Sequence, residues 1–143
     1  MNFKKQAQKL ETFLSDEFKK ELPIVVINSS TLVYRNYKIK QLKSGYWGIF
    51  KKGGFLIDKF SVRACALMAA RAHDLNKLPE YFEIANLDKY YQANATDAEI
   101  FDYRMKTCKN DFDKDLATWR WEITKARADQ AKQQIIQKFK QIF

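Results

Sequence analysis

The chain is poor in residues that break or staple a fold. Four glycines and two prolines in 143 residues leave little room for a flexible linker. The two cysteines, Cys65 and Cys108, have no C-x-x-C spacing. That argues against a disulfide framework or a cysteine zinc site, and both read as small buried hydrophobes. His73 is the only histidine, which removes most zinc centres. No apolar run approaches the roughly 18 residues of a membrane span; the longest is 64–70. The opening "MNFKKQAQKLETF" has no apolar core and carries Glu11, so no signal peptide and a cytoplasmic location are expected. Acid is also scarce, but only locally. Residues 35–63 hold eight basic groups against Asp58 alone, so +7 of the net charge of +9 sits in one fifth of the chain. Such clustering points to an anionic partner, where an even spread would point only to solubility.

What is present suits one domain over residues 1–143, with enough apolar and aromatic residues for a core. Phe3, Ala7, Leu10, Leu14 and Phe18 recur at helical spacing, which predicts an amphipathic helix over 2–21 that Pro23 ends. An antiparallel sheet of about three to five strands is expected over 24–60. "IVVIN" (24–28) reads as a buried strand, Asn28-Ser29-Ser30 as a turn, and 31–34 as a second strand. Tyr37–Gln41 alternates apolar and lysine as a half-buried strand does. Lys43-Ser44-Gly45 suits a three-residue hairpin that pairs Gln41 with Trp47 and Ile39 with Ile49. Lys51–Gly54 makes the next turn, and the register of the strand after it stays open.

Ser61 is an N-cap candidate for a helix over 62–75 that is apolar nearly all round and should lie across the sheet. Short helices are expected over 80–108, one of them started by the capping box Thr96-Asp97-Ala98-Glu99. A long helix over 112–142 completes a C-terminal helical hairpin. The fold class is therefore α+β, a small antiparallel sheet packed on one helix with the other helices covering the rest.

The last helix carries two apolar stripes. Phe112, Leu116, Trp119, Ile123 and Ala126 form one. Trp121, Ala128, Ala131, Ile135, Phe139 and Ile142, with Ala117 and Thr124, form the other on roughly the opposite side. One stripe can face the chain's own core. The second needs another surface, either elsewhere in this chain or on a second subunit, and the Trp121–Ile142 stripe is the candidate interface.

Signatures of catalysis are missing. No phosphate loop, dinucleotide glycine pattern or nucleophile elbow occurs. His73 and Asp74 are adjacent on a helix and point apart, which argues against a His–Asp dyad. Glu80, Glu83, Asp88, Asp97, Glu99 and Asp102 have the spacing of solvated helix faces. A non-enzymatic protein is expected, with no cofactor, metal, small-molecule substrate or membrane. A magnesium-dependent nuclease, assembled from distant carboxylates, is the catalytic alternative.

Candidate nucleic-acid contacts are Arg35, Lys38, Lys40, Lys43, Tyr46, Phe50, Lys51 and Lys52. Lysines would meet phosphates, and Tyr46 and Phe50 would stack or insert. The same lysines also fit a protein partner, or a plainly solvated face that guards sheet edges. Twenty lysines against six arginines favour point charges on phosphate over bidentate base reading, so little sequence preference is expected.

Residues 37–73, "YKIK…GYWGIF…FLIDKFSVRACALMAARAHD", resemble the three-stranded-sheet-plus-helix DNA-binding domain of plant ethylene-response factors and phage integrase arms. Tyr37, Gly45, Trp47, Ile49, Phe60, Ala66, Ala69 and Ala70 carry the likeness. It implies a sheet face that enters the major groove, although lysine stands here where that family uses arginine. Over its whole length, with "PIVVIN", "YKIK", "GYWGIF" and "CALMAARA" in order, the chain also resembles small lysine-rich proteins of large tailed marine phages. That resemblance implies a host-cell cytoplasm or virion setting, and either nucleic-acid contact or a structural, assembly role among other subunits or as a homo-oligomer.

Overall fold

A computed structural model describes residues 24–51 and 53–143. The helix expected over 2–21 lies outside them. The five strands are β1 (Ile24–Asn28), β2 (Thr31–Tyr34), β3 (Tyr37–Gln41), β4 (Trp47–Lys51) and β5 (Leu56–Phe60). They form one antiparallel meander in sequence order. The β3–β4 hairpin has the expected register, with Ile39 opposite Ile49 and Gln41 opposite Trp47. Gly45, at φ 91°, takes the positive backbone angle that this loop requires. A bulge between Ile49 and Phe50 sets the register left open by sequence, and brings Leu56 opposite Phe50 and Lys59 opposite Gly48.

Strand alternation gives the sheet two unlike faces. Leu32, Tyr34, Tyr37, Ile39, Trp47, Ile49 and Phe60 are all buried on one. Helix α1 (Arg63–Asp74) lies on that face, and its residues 64–70 are entirely buried. Its alanines let it approach the sheet on one side and two further helices on the other. Those two are α2 (Leu78–Thr107) and α3 (Asp111–Ile142), an antiparallel hairpin that forms the third layer.

Strand β1, expected to be buried, lies at the sheet edge with Val25, Val26 and Ile27 exposed. Three further sequence expectations change here. Ser61 does not cap α1. Val62 occupies the cap position without a side-chain bond. The capping acceptor comes from another helix: Asp88 of α2 accepts bonds from the Ser61 amide (3.0 Å), the Ser61 hydroxyl (2.9 Å) and the Val62 amide (3.2 Å). So Asp88 is buried rather than solvated. A carboxylate suits that place, because a helix N-terminus offers unpaired N–H groups and a positive dipole end.

Second, the Thr96–Glu99 capping box starts nothing. It lies inside the continuous helix α2, where Asn94, Ala95 and Ala98 are buried. A cap contributes about 1 kcal/mol, less than the packing and helical hydrogen bonds that a break at this point would forfeit. Asn110 is a true cap; its side chain accepts from the Asp113 amide at 2.8 Å.

Third, the Trp121–Ile142 stripe is not a free interface. Ala128, Ala131, Ile135 and Phe139 belong to the chain's own core, Ile142 packs against it, and Trp121 is half-buried. The other stripe stays partly outside, with Leu116 and Ile123 half-buried and Ala126 exposed. Phe112 is 77% exposed and Trp119 58%. The reason is length. Thirty residues of helix span about 45 Å and the twelve of α1 about 18 Å. Core members on α2 end at Ala95 and those on α3 begin at Ala128. Beyond them the hairpin is a two-helix arm.

Candidate nucleic-acid interface

The second face of the sheet is built by two cross-strand rows. Val25, Val33, Lys38, Phe50 and Leu56 align across all five strands. Thr31, Lys40, Gly48 and Lys59 align across four. Lys38, Lys40 and Lys59 are exposed. A Cβ on Gly48 would stand 3.0 Å from both Leu56 Cδ1 and Phe50 Cε2 and 3.3 Å from Leu42 Cδ2. The missing side chain lets these three apolar groups close over the strand, between the lysines.

Among the described residues, no carboxylate stands in these rows. Asp58 is the only acid between Ile24 and Arg63. It pairs with Ile49, on the helix-covered face, and accepts the Tyr81 hydroxyl at 2.7 Å. Burial, then that bond, raises the Tyr81 pKa. The face therefore combines one sign of charge with an apolar patch centred on Phe50.

The other sequence candidates spread out. Lys43 is exposed at the tip of the β3–β4 loop. Tyr46 is half-buried, its hydroxyl bonded to Gln92 of α2 and its ring 5.5 Å from the Lys59 ammonium. Lys51 pairs with Tyr37, so alternation places it at the rim of the helix-covered side. Arg35 occupies a turn at φ 50° and bonds Asp74 of α1 at 3.1 Å, which pins the β2–β3 turn to the helix end. Lys52 lies outside the described residues. Lys59, absent from the sequence-based set, joins Lys40 across Gly48. Only the bulged register of β5 reveals it.

His73 and Asp74 do take different partners. His73 Nδ1 bonds the Tyr37 hydroxyl at 2.7 Å, while Asp74 holds Arg35. Among the described residues no group of three or more His, Cys, Asp or Glu is placed to hold a metal ion, and no helix is long and apolar enough to cross a membrane.

Fold and surface thus define an α+β protein with one sheet face against helices and the other basic and apolar. Comparison with protein-family models, curated proteins and solved structures finds no match to this chain.

Proposed function

We propose that this is a non-enzymatic binding protein whose sheet face contacts nucleic-acid backbone, in a setting like that of the phage proteins it resembles. The observation that carries the reading is the pair of rows that presents Lys38, Lys40 and Lys59 around Phe50 with no acid among them. Lysine ammonium groups would neutralise phosphates, and Phe50 with Leu56 would pack on sugar or an unstacked base. No arginine stands on this face to read a base edge, so binding is expected to be insensitive to sequence. Three to four neutralised phosphates on duplex DNA would weaken binding about 40- to 150-fold between 50 and 200 mM salt.

Fluorescence anisotropy with duplex and single-stranded DNA at two salt concentrations tests this. Lys38→Glu/Lys40→Glu should abolish binding, while Lys109→Glu/Lys114→Glu, of equal net charge but on the arm, should leave most of it. Equal losses in both would reduce the effect to net charge. No binding at low salt would sink the reading.

A structural or assembly role is the second reading. It needs a surface other than the Trp121–Ile142 stripe, and the exposed aromatic residues of the arm favour it.

A further inference from the structure

The outer stripe of α3, with Phe112, Trp119 and Ala126 exposed and Leu116 and Ile123 half-buried, has the spacing of a helix-pairing seam. Phe112, Leu116, Trp119, Ile123 and Ala126 are separated by 4, 3, 4 and 3 residues, the a/d alternation of a heptad. Phe112, Trp119 and Ala126 fall at d, Leu116 and Ile123 at a. The next core positions, Gln130 and Gln133, are exposed amides, so the apolar seam ends where α3 reaches the globular body. Two heptads are too few to hold free peptides together, because each chain must first form a helix. Here α2 has already formed it.

The flanks say what covers the seam. On one side, at heptad position e, stand Arg120 and Arg127. That flank also holds Asp113, whose carboxylate is bonded to Asn110 at the helix cap. On the other, at g, stand Asp115, Glu122 and Asp129. Arg120, Arg127, Asp115 and Glu122 are exposed, and none of the four makes an ion pair among the described residues. The Arg120 guanidinium rests 5.7 Å from the Phe101 ring centroid, which holds it beside the seam. In a parallel pair of helices each g residue meets the e residue five positions on in the partner. Asp115 then meets Arg120, and Glu122 meets Arg127, each twice by symmetry. An antiparallel pair sets e against e and g against g, which brings Arg120 near its own copy and Asp115 near Glu122, and leaves Asp113 opposite Arg127 as its complementary contact. The parallel orientation matches every Asp115, Glu122, Arg120 and Arg127 with an opposite charge, and the antiparallel one does not.

We propose that two copies of this chain dimerise through the arm, by parallel pairing of α3 along Phe112–Ala126. The dimer buries the exposed ring of Trp119 against its own copy and sets both globular bodies at the same end. It places two basic sheet faces in one particle. It does not depend on what those faces bind, since it is read from mass and not from DNA.

Sedimentation velocity of the full chain over a concentration series is the test. A dimer with a Kd of about 1–100 µM is expected for a seam of this size. Asp115→Arg/Glu122→Arg should weaken it at least tenfold, and adding Arg120→Glu/Arg127→Glu should restore it. Mixing the basic-flank double variant with the acidic-flank one should yield a heterodimer from two monomers. Ala126→Cys in a Cys108→Ser background should cross-link on oxidation, because d meets d only in the parallel pair. In the antiparallel pair the two sulfurs would lie about 20 Å apart. A monomer at every concentration overturns the dimer. Undiminished association of the Asp115→Arg/Glu122→Arg variant, or no cross-link, overturns the parallel pairing.

Discussion

The sheet face and the arm both leave large apolar side chains in water, and they arrange charge in opposite ways. Around Phe50 every charged neighbour is a lysine. Along Trp119 one flank is basic and the other acidic. A surface of one sign repels its own copy and attracts a polyanion. A surface with both signs in register can pair with itself. Charge pattern, more than apolar area, separates the two roles.

The largest expected effects test whether the inner stripe of α3 belongs to the core. Ile135 is fully buried, so Ile135→Ala should cost about 2–5 kcal/mol in urea denaturation. Trp119→Ala should change monomer stability by under about 0.5 kcal/mol and act on association instead. Similar losses in both would erase the distinction between the stripes.

Asp88 ties α2, which continues into the arm, to the start of α1 beside the sheet. Asp88→Ala removes the acceptor of two buried amides and a hydroxyl, and should cost about 3 kcal/mol. Its titration gives an effect of similar size. Burial raises the carboxyl pKa from 3.8 to about 6, against the opposing hydrogen bonds from Ser61, Val62 and Cys65. The folded state therefore holds the proton more tightly than the unfolded chain. This contribution is complete below about pH 4, falls as pH rises through 6, and amounts to about 3 kcal/mol. Denaturation between pH 4 and 7.5 should show that decline, and Asp88→Asn should flatten it.

A smaller effect sharpens the sheet side. Lys59→Glu alone should weaken DNA binding by about tenfold and flatten its salt dependence, since it removes one phosphate contact and adds a repulsion. Arg35→Gln should leave affinity within about twofold, because Arg35 is spent on Asp74. If Arg35→Gln matched Lys59→Glu, the contact surface would extend around the rim.

Local chemistry made the β3–β4 hairpin legible. Lys43-Ser44-Gly45 carries its own turn preference, and alternation on either side leaves one register that buries Ile39, Trp47 and Ile49 together. The burial of 64–70 was legible for the same reason, since a helix without a polar face has no side for water. The two lysines of β3 could be placed on one face from Tyr37–Gln41 alone. Lys59 could not be added to them, because a bulge moves the register by one residue without any glycine or proline to mark it.

Nearest-neighbour preference set the β3–β4 turn, the half-buried strand beside it and the two stripes of α3, because each depends on side chains a few residues apart. Tertiary contact decided the rest. Thr96–Glu99 offers a helix start, yet the chain runs through it, since the buried side of α2 outweighs one cap. Ser61 offers a cap, yet a carboxylate twenty-seven residues away supplies the acceptor. Both stripes of α3 look alike in sequence. One is core and the other surface because the body is shorter than the hairpin, and that is a fact about three packed layers rather than about any segment of the chain.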